Sequence, residues 1–447
     1  MIRAIAGLGA LTLCAAACSA PDPSLSAISH SRKIVNAYVS TTQVPALQIA
    51  VGIDDQIVWS EGFGGATPAT RFRIASVSKL LTGTLTAKLA DRGELSLDQP
   101  IGEWVLGLPP DWHDITARML VHHTSGLQHY DTAERALDTT FYPTTRAGLA
   151  RFLDMPLKFA PGTGEQYSTY AYTVLALAIE QAMGKPFLEV MDDEILKPLG
   201  MVHTGPDLRS SPSPDLAPFF DLSDSGAIVA SPEVDLSGKW AGGGYVSTAE
   251  DLVRFGLAHV KQGVLSAETI AMVGQRQTLP SGELTKEGFG WGPRVDWDGR
   301  EMLWGDGSTP GARCGLLVYP KDGLVIAVLT NLRGLALERG ELQALARLFL
   351  AAKDGKEILP VSTRLEREWV GSVAVGSQSV PVRISPGSVE FGGWRTLTVA
   401  DAFQIGESTW IVPLDKAGIF PLRLAVDGEG FAVTAPRVEW KFGVRPG

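Results

Sequence analysis

Arg71-Phe72-Arg73-Ile74-Ala75-Ser76-Val77-Ser78-Lys79-Leu80-Leu81-Thr82-Gly83 decides how this chain is read, because it sets a serine three residues ahead of a lysine. Residues at i and i+3 of a helix share one face, with Cβ atoms about 5–6 Å apart, so Ser76 Oγ and Lys79 Nζ can meet. A serine hydroxyl is a weak nucleophile until a neighbouring base takes its proton. Lysine serves as that base only when burial or nearby cations bring its pKa down from about 10.4. A bare four-residue match of this kind arises by chance in a chain of this length. Ser76, however, is the only serine here followed by lysine at that spacing. Leu80, Leu81, Leu85, Leu89 and Ala90 follow with helical periodicity, which predicts a buried helix running on from the pair.

The rest of the chain bounds the answer. Its 447 residues exceed one ordinary domain, so two are predicted. A hydrophobic fraction of 45% suits a sizeable globular core. A net charge of −10 with no long run of Lys or Arg argues against nucleic-acid partners and electrostatic membrane docking. The first 20 residues differ: one charge at Arg3, an apolar run from Ala4 to Ala17, then Cys18-Ser19-Ala20-Pro21. That is the pattern of an export signal, too short for a stable membrane anchor. Leu13-Cys14-Ala15-Ala16-Ala17-Cys18 also resembles a bacterial lipoprotein box with Cys18 acylated, although Ala15 stands where leucine is usual. Plain cleavage after a small residue is the competing reading. The expected location is outside the cytoplasm, either periplasmic or tethered to a bacterial membrane through lipidated Cys18. Cys314 would then be alone in the mature chain, and its apolar neighbours predict a buried strand position rather than a catalytic thiol.

Along the chain, a polar linker from Pro21 to Ser26 precedes a helical stretch near Lys33 to Ser40. Ala46 to Val51 and Ile57 to Ser60, joined through Asp54-Asp55, read as a β-hairpin. From Ser76 to about Leu196 the pattern is mostly helical, and strands return at Gly315 to Tyr319 and Leu324 to Leu329. A helix is predicted over about Leu337 to Ala352. Strands at both ends with helices between predict one antiparallel sheet flanked by helices, an α/β (α+β) domain over 27–355 with a helical subdomain. From Pro360 to Gly447 only short β-rich runs occur, which predicts a small all-β domain.

Three further segments complete the pattern: His123-Thr124-Ser125-Gly126-Leu127, Tyr167-Ser168-Thr169, and Lys239-Trp240-Ala241-Gly242-Gly243-Gly244. With the Ser76 block, in this order, they resemble the serine β-lactamase-related hydrolases: class C β-lactamases, D,D-peptidases and esterases of the β-lactamase/transpeptidase-like fold. The last two segments are similar in wording to the mitochondrial serine β-lactamase-like branch and its bacterial relatives. The resemblance implies Ser76 as nucleophile, Lys79 as its activating partner and Tyr167 as the tyrosine of the Tyr-x-Asn motif. Whether Lys79 or Tyr167 takes the Ser76 proton stays open at this level. It also implies an oxyanion hole from the backbone N–H groups of Ser76 and Ser308, and substrate contacts at Thr169, Asp306 and Gly307.

Two departures stand out. Thr169 replaces the usual asparagine. The third motif, normally Lys or His, then Thr or Ser, then Gly, reads Gly305-Asp306-Gly307. The family's carboxylate-binding cation is thus missing, with Arg294 and Arg313 as possible replacements, and the expected preference is for neutral esters or amine-bearing substrates over penicillins. No serine sits in a Gly-x-Ser-x-Gly elbow, and His122, His123 and His129 lack a zinc-enzyme pattern. Trp291, Trp297 and Trp304 are equally open to a cleft-lining or a structural role. The expectation is an exported, cofactor-free and metal-free serine hydrolase acting through an acyl-enzyme on a small-molecule or peptide substrate. The alternative is a protein that keeps the fold but works by binding or self-assembly.

Overall fold

A computed structural model describes residues 23–356 apart from 297, 336 and 338, and beyond them the strands between 358 and 446. The expected signal and Cys18, like Trp297, lie outside the described residues.

Helix α1 spans Pro23–Thr42. The stretch expected to be a linker is therefore mostly its first turn, where proline gives up only an N–H that has no partner inside the helix. Strands β1 (Ala46–Ile53) and β2 (Gln56–Gly64) form the expected hairpin, with Ile53 opposite Gln56 and Asp54 at φ +58° in the turn. Helix α2 (Ser78–Asp91) follows the Ser76 block, and α3 (Thr169–Met183) and α4 (Ala249–Leu257) belong to the helical body. Strands β3 (Gly292–Val295), β4 (Glu301–Thr309), β5 (Ala312–Tyr319) and β6 (Leu324–Thr330) then return, ahead of α5 (Arg339–Lys353). The six strands form one antiparallel sheet in the order β2-β1-β6-β5-β4-β3.

The central strands read as continuous apolar runs because both faces are covered. Side chains alternate between two cores, as a strand's two-residue period requires. Leu47, Ile49, Val51, Leu317, Ile326 and Val328 pack with Ile34, Val35 and Tyr38 of α1 and Leu345 and Phe349 of α5. Ala46, Ala50, Leu316, Val318, Val325 and Ala327 face the helical body, among them Leu80, Leu85 and Phe255. Cys314 belongs to that second core and is buried, as expected. Trp291 is also core, stacked on Phe255 at 5.7 Å and donating to Thr84 Oγ1 at 3.2 Å, while Trp304 is partly buried against the core on the α1 and α5 side. Beyond 358 the strands form two five-stranded antiparallel sheets.

Candidate active site

Ser76 sits in a tight 3-10 turn, Ala75–Val77, immediately before α2. Ala75 takes φ +45°, a left-handed conformation that costs a β-carbon-bearing residue about 1–2 kcal/mol. The turn is held from several sides. The Val77 N–H donates to Ile74 O at 3.0 Å, Ile74 N–H to Tyr245 O at 3.0 Å, and the Cys314 thiol to Ile74 O at 3.1 Å. Gly307 lies directly beneath: a β-carbon there would stand 2.5 Å from Ile74 O. Its glycine is what lets β4 run this close to the turn.

Lys79 is buried one helical turn on and faces back. Its Nζ lies 3.2 Å from Ser76 Oγ, 3.0 Å from Thr169 Oγ1 and 2.5 Å from the Gly242 carbonyl. Burial pushes its pKa down to about 7; the Glu287 carboxylate opposes that shift and Lys239 adds to it. On the other side the Tyr167 hydroxyl donates to Ser76 Oγ at 2.7 Å. Burial and the nearby Glu287 charge push the Tyr167 phenol well above its ordinary value, with the bond to Ser76 pulling the other way. Tyr167 precedes the N-cap of α3, where Ser168 Oγ accepts from Ala171 N at 3.0 Å, and Thr169 is the first helical residue. The capping serine thus fixes which way its two neighbours point.

A second layer supports Tyr167. His123, at φ +62°, lies against the Tyr167 ring at 4.6 Å and accepts from the Ser168 N–H at Nδ1. Its Nε2 is 3.5 Å from Glu287 Oε2. Burial works against the Glu287 charge, but His123, Lys79 and Arg294 outweigh it and hold that carboxyl below its usual range. Sequence reading gave no signal for Glu287.

Ser76 opens into a cleft of about 280 Å³ whose lining includes His129, Tyr130, Thr169, Lys239 and Ser308. His129 Nδ1 accepts from the Thr169 N–H at 3.3 Å, and burial with the nearby Lys79 and Lys239 pushes its pKa down to about 4, so the ring is neutral. His122 instead lies between the carbonyls of Arg118 and Gln275, away from Ser76.

The third-motif segment is arranged differently from the expectation. A β-carbon at Gly305 would stand 2.4 Å from Leu80 Cδ1, so Leu80 fills the space that the family's cationic side chain would need. Asp306 does not line the cleft: across the β4–β5 hairpin it is paired with Arg313 at 2.7 Å. Arg313 is thereby engaged, and Arg294 donates to the carbonyls of Lys286 and Pro293. Gly307 faces the Ser76 turn rather than the cleft, whereas Thr169 and Ser308 line it. Arg73 anchors the hairpin end through a buried pair with Asp207 at 2.7 Å and a bond to Pro310 O at 2.9 Å.

The beta-lactamase family model matches residues 32–351. The chain belongs to the beta-lactamase family. Relatives of this beta-lactamase-family chain include the serine beta-lactamase-like protein LACTB, mitochondrial, of Homo sapiens, 27% identical over 70% of this chain and 78% of that protein. A D-alanyl-D-alanine-carboxypeptidase/endopeptidase AmpH of Escherichia coli (strain K12) is 32% identical over 41% of this chain and 47% of that protein. Among solved structures, the octameric penicillin-binding protein homologue from Pyrococcus abyssi superposes with a TM-score of 0.62 at 22% identity, covering 94% of this chain and all of that one. The D-amino acid amidase from Ochrobactrum anthropi SV3 gives a TM-score of 0.63 at 21% identity over 74% of this chain and 99% of its own. The two superpositions establish the β-lactamase/transpeptidase-like fold, an antiparallel sheet with flanking helices. The family is one of serine hydrolases, with peptidases and amidases among its members.

Proposed function

We propose that this chain cleaves an ester or amide through an acyl-enzyme formed on Ser76. One observation carries the reading: Ser76 Oγ is held between Lys79 Nζ at 3.2 Å and the Tyr167 hydroxyl at 2.7 Å, at the mouth of a cleft. A lysine with a pKa near 7 is in large part a neutral amine at neutral pH, with two N–H groups and one lone pair. Gly242 O and Thr169 Oγ1 take the two N–H groups, which leaves the lone pair for the Ser76 hydroxyl. Lys79 is therefore the general base. Tyr167, whose phenol is pushed the other way, stays protonated and donates.

Ser76 Oγ attacks the carbonyl carbon while its proton passes to Lys79 Nζ. The oxyanion that forms is met by the N–H groups of Ser76 and Ser308, each such donor being worth about 10²–10³ in rate. Lys79, now an ammonium, returns the proton to the departing oxygen or nitrogen, and the Tyr167 hydroxyl holds that atom in place. Water then hydrolyses the acyl-enzyme by the same route. Thr169 does for Lys79 what a hydroxyl can do, holding its amine, where asparagine would present an amide to substrate. A fluorophosphonate probe should label the wild-type chain and leave Ser76→Ala unlabelled; an unlabelled wild type would overturn the reading.

Export and the C-terminal strands belong to the same proposal. The apolar run and Cys18 support a lipoprotein signal, so expression in a Gram-negative host should place the chain in membranes and Cys18→Ala should release it. Among the described residues, those lining the cleft at Ser76 all precede 358, and the strands beyond it are read as a separate module. Soluble chain ending at Lys356 should still be labelled at Ser76.

A further inference from the structure

The Ser76 cleft is lined by a buried lysine that the proposed chemistry does not use. Lys239 is 4% exposed and lines the same cleft as Ser76, Thr169 and Ser308. Its Nζ has one long hydrogen bond, 3.4 Å to Ala136 O, and lies 4.6 Å from the centre of the Tyr130 ring. Buried ammonium groups in folded proteins are ordinarily paired and fully hydrogen-bonded, because an unpaired one is costly. The neighbouring carboxylate, Asp138, is already engaged by Arg151 at 3.1 Å, the Tyr142 hydroxyl at 2.8 Å and the Thr140 N–H at 2.8 Å. Burial, with Arg151 and Arg73 as nearby cations, pushes the Lys239 pKa down to about 7. Arg333, half exposed at the rim of the same cleft, is paired among the described residues through a 3.5 Å contact with Asp221. Among the described residues, the cleft lining carries these two cationic side chains and no carboxylate.

We infer that Lys239, with Arg333 at the rim, forms a carboxylate-binding subsite beside Ser76, so that the preferred substrates carry a free carboxylate near the scissile bond. The inference rests on Ser76 as nucleophile. It replaces the sequence-based expectation of neutral substrates, since the cation lost at Gly305 is supplied from the segment before Trp240. A carboxylate arriving there restores the missing partner and draws a proton onto Lys239, and a charge-assisted bond in a closed site holds it. Lys239 lies outside the Ser76 bond network and acts on which molecule is held rather than on the bond-making step.

The test uses reversible boronic acids, whose boron bonds to a nucleophilic serine oxygen. Dissociation constants are measured for 3- and 4-carboxyphenylboronic acid and for their carboxamide counterparts, on the full-length protein. The acid-to-amide ratio is read because it cancels any general change in Ser76 reactivity. At least one acid should bind the wild type about tenfold to a hundredfold tighter than its amide. That preference should vanish in Lys239→Met and shrink in Arg333→Gln, a surface substitution that keeps the test open should Lys239→Met fail to fold. Equal binding of acids and amides to the wild type, or a preference that survives both substitutions, overturns the subsite and leaves Ser76 untouched. Failure of every boronic acid and of the fluorophosphonate probe overturns the Ser76 reading and the subsite with it.

Discussion

Lys79 lies behind Ser76 and Lys239 lines the cleft that Ser76 opens into; both are buried, and burial pushes both down to about 7. Their surroundings differ. Lys79 has three oxygen neighbours within 3.2 Å, one of them the Ser76 hydroxyl. Lys239 has a single long bond and an aromatic face. Burial by itself therefore does not distinguish the proposed base from the proposed ligand-binding amine. The count of satisfied hydrogen-bond positions does: a saturated amine is fixed for proton transfer, while an unsaturated one is completed by what enters the cleft.

The comparison can be broken most sharply at Lys79. Ser76→Ala and Lys79→Met should each lower kcat/KM for a p-nitrophenyl ester by about 10³ or more. Retention of most activity in Lys79→Met would show that Tyr167 is the base. Tyr167→Phe should cost less, about 10²-fold, because the base and the oxyanion donors remain. In the wild type, acylation should rise with pH and level off above about 7. The sign follows from the lone pair: below the lowered pKa Lys79 is an ammonium and cannot accept the Ser76 proton, so the rate falls about tenfold per pH unit. A profile that rises only toward pH 10 would show Lys79 charged at neutrality. The smallest effect is on stability. Lys79→Met leaves the Gly242 carbonyl unsatisfied and should lose about 1–3 kcal/mol in urea unfolding. Lys239→Met removes a poorly paired buried amine and should lose nothing, or gain up to ~1 kcal/mol. Equal losses at the two positions would end the distinction.

Much of the corner around Ser76 was legible in sequence because its parts are local or carry a family wording. Ser76 and Lys79 are one helical turn apart, and Tyr167-Ser168-Thr169 combines a recognisable motif with an N-cap. The missing cation at Gly305 was legible in the sequence, but what fills the space beside it was not, because Leu80 lies more than two hundred residues away in sequence. Asp306 was expected at the substrate and is instead paired with Arg313, a cross-hairpin contact set by strand register. Glu287, His129 and Arg333 had no motif to announce them.

The sequence by itself determined the flanked antiparallel sheet, since strand-like runs stand at both ends of a helical stretch, and it determined that Ser76 and Lys79 meet, since residues at i and i+3 share one helical face. Tertiary structure alone decided the protonation of that lysine, because desolvation depends on what packs around it and not on its neighbours in the chain. It also decided the charge of the cleft. Lys239 comes from the segment leading into Trp240–Gly243 and Arg333 from just past β6, and only folding brings them beside Ser76.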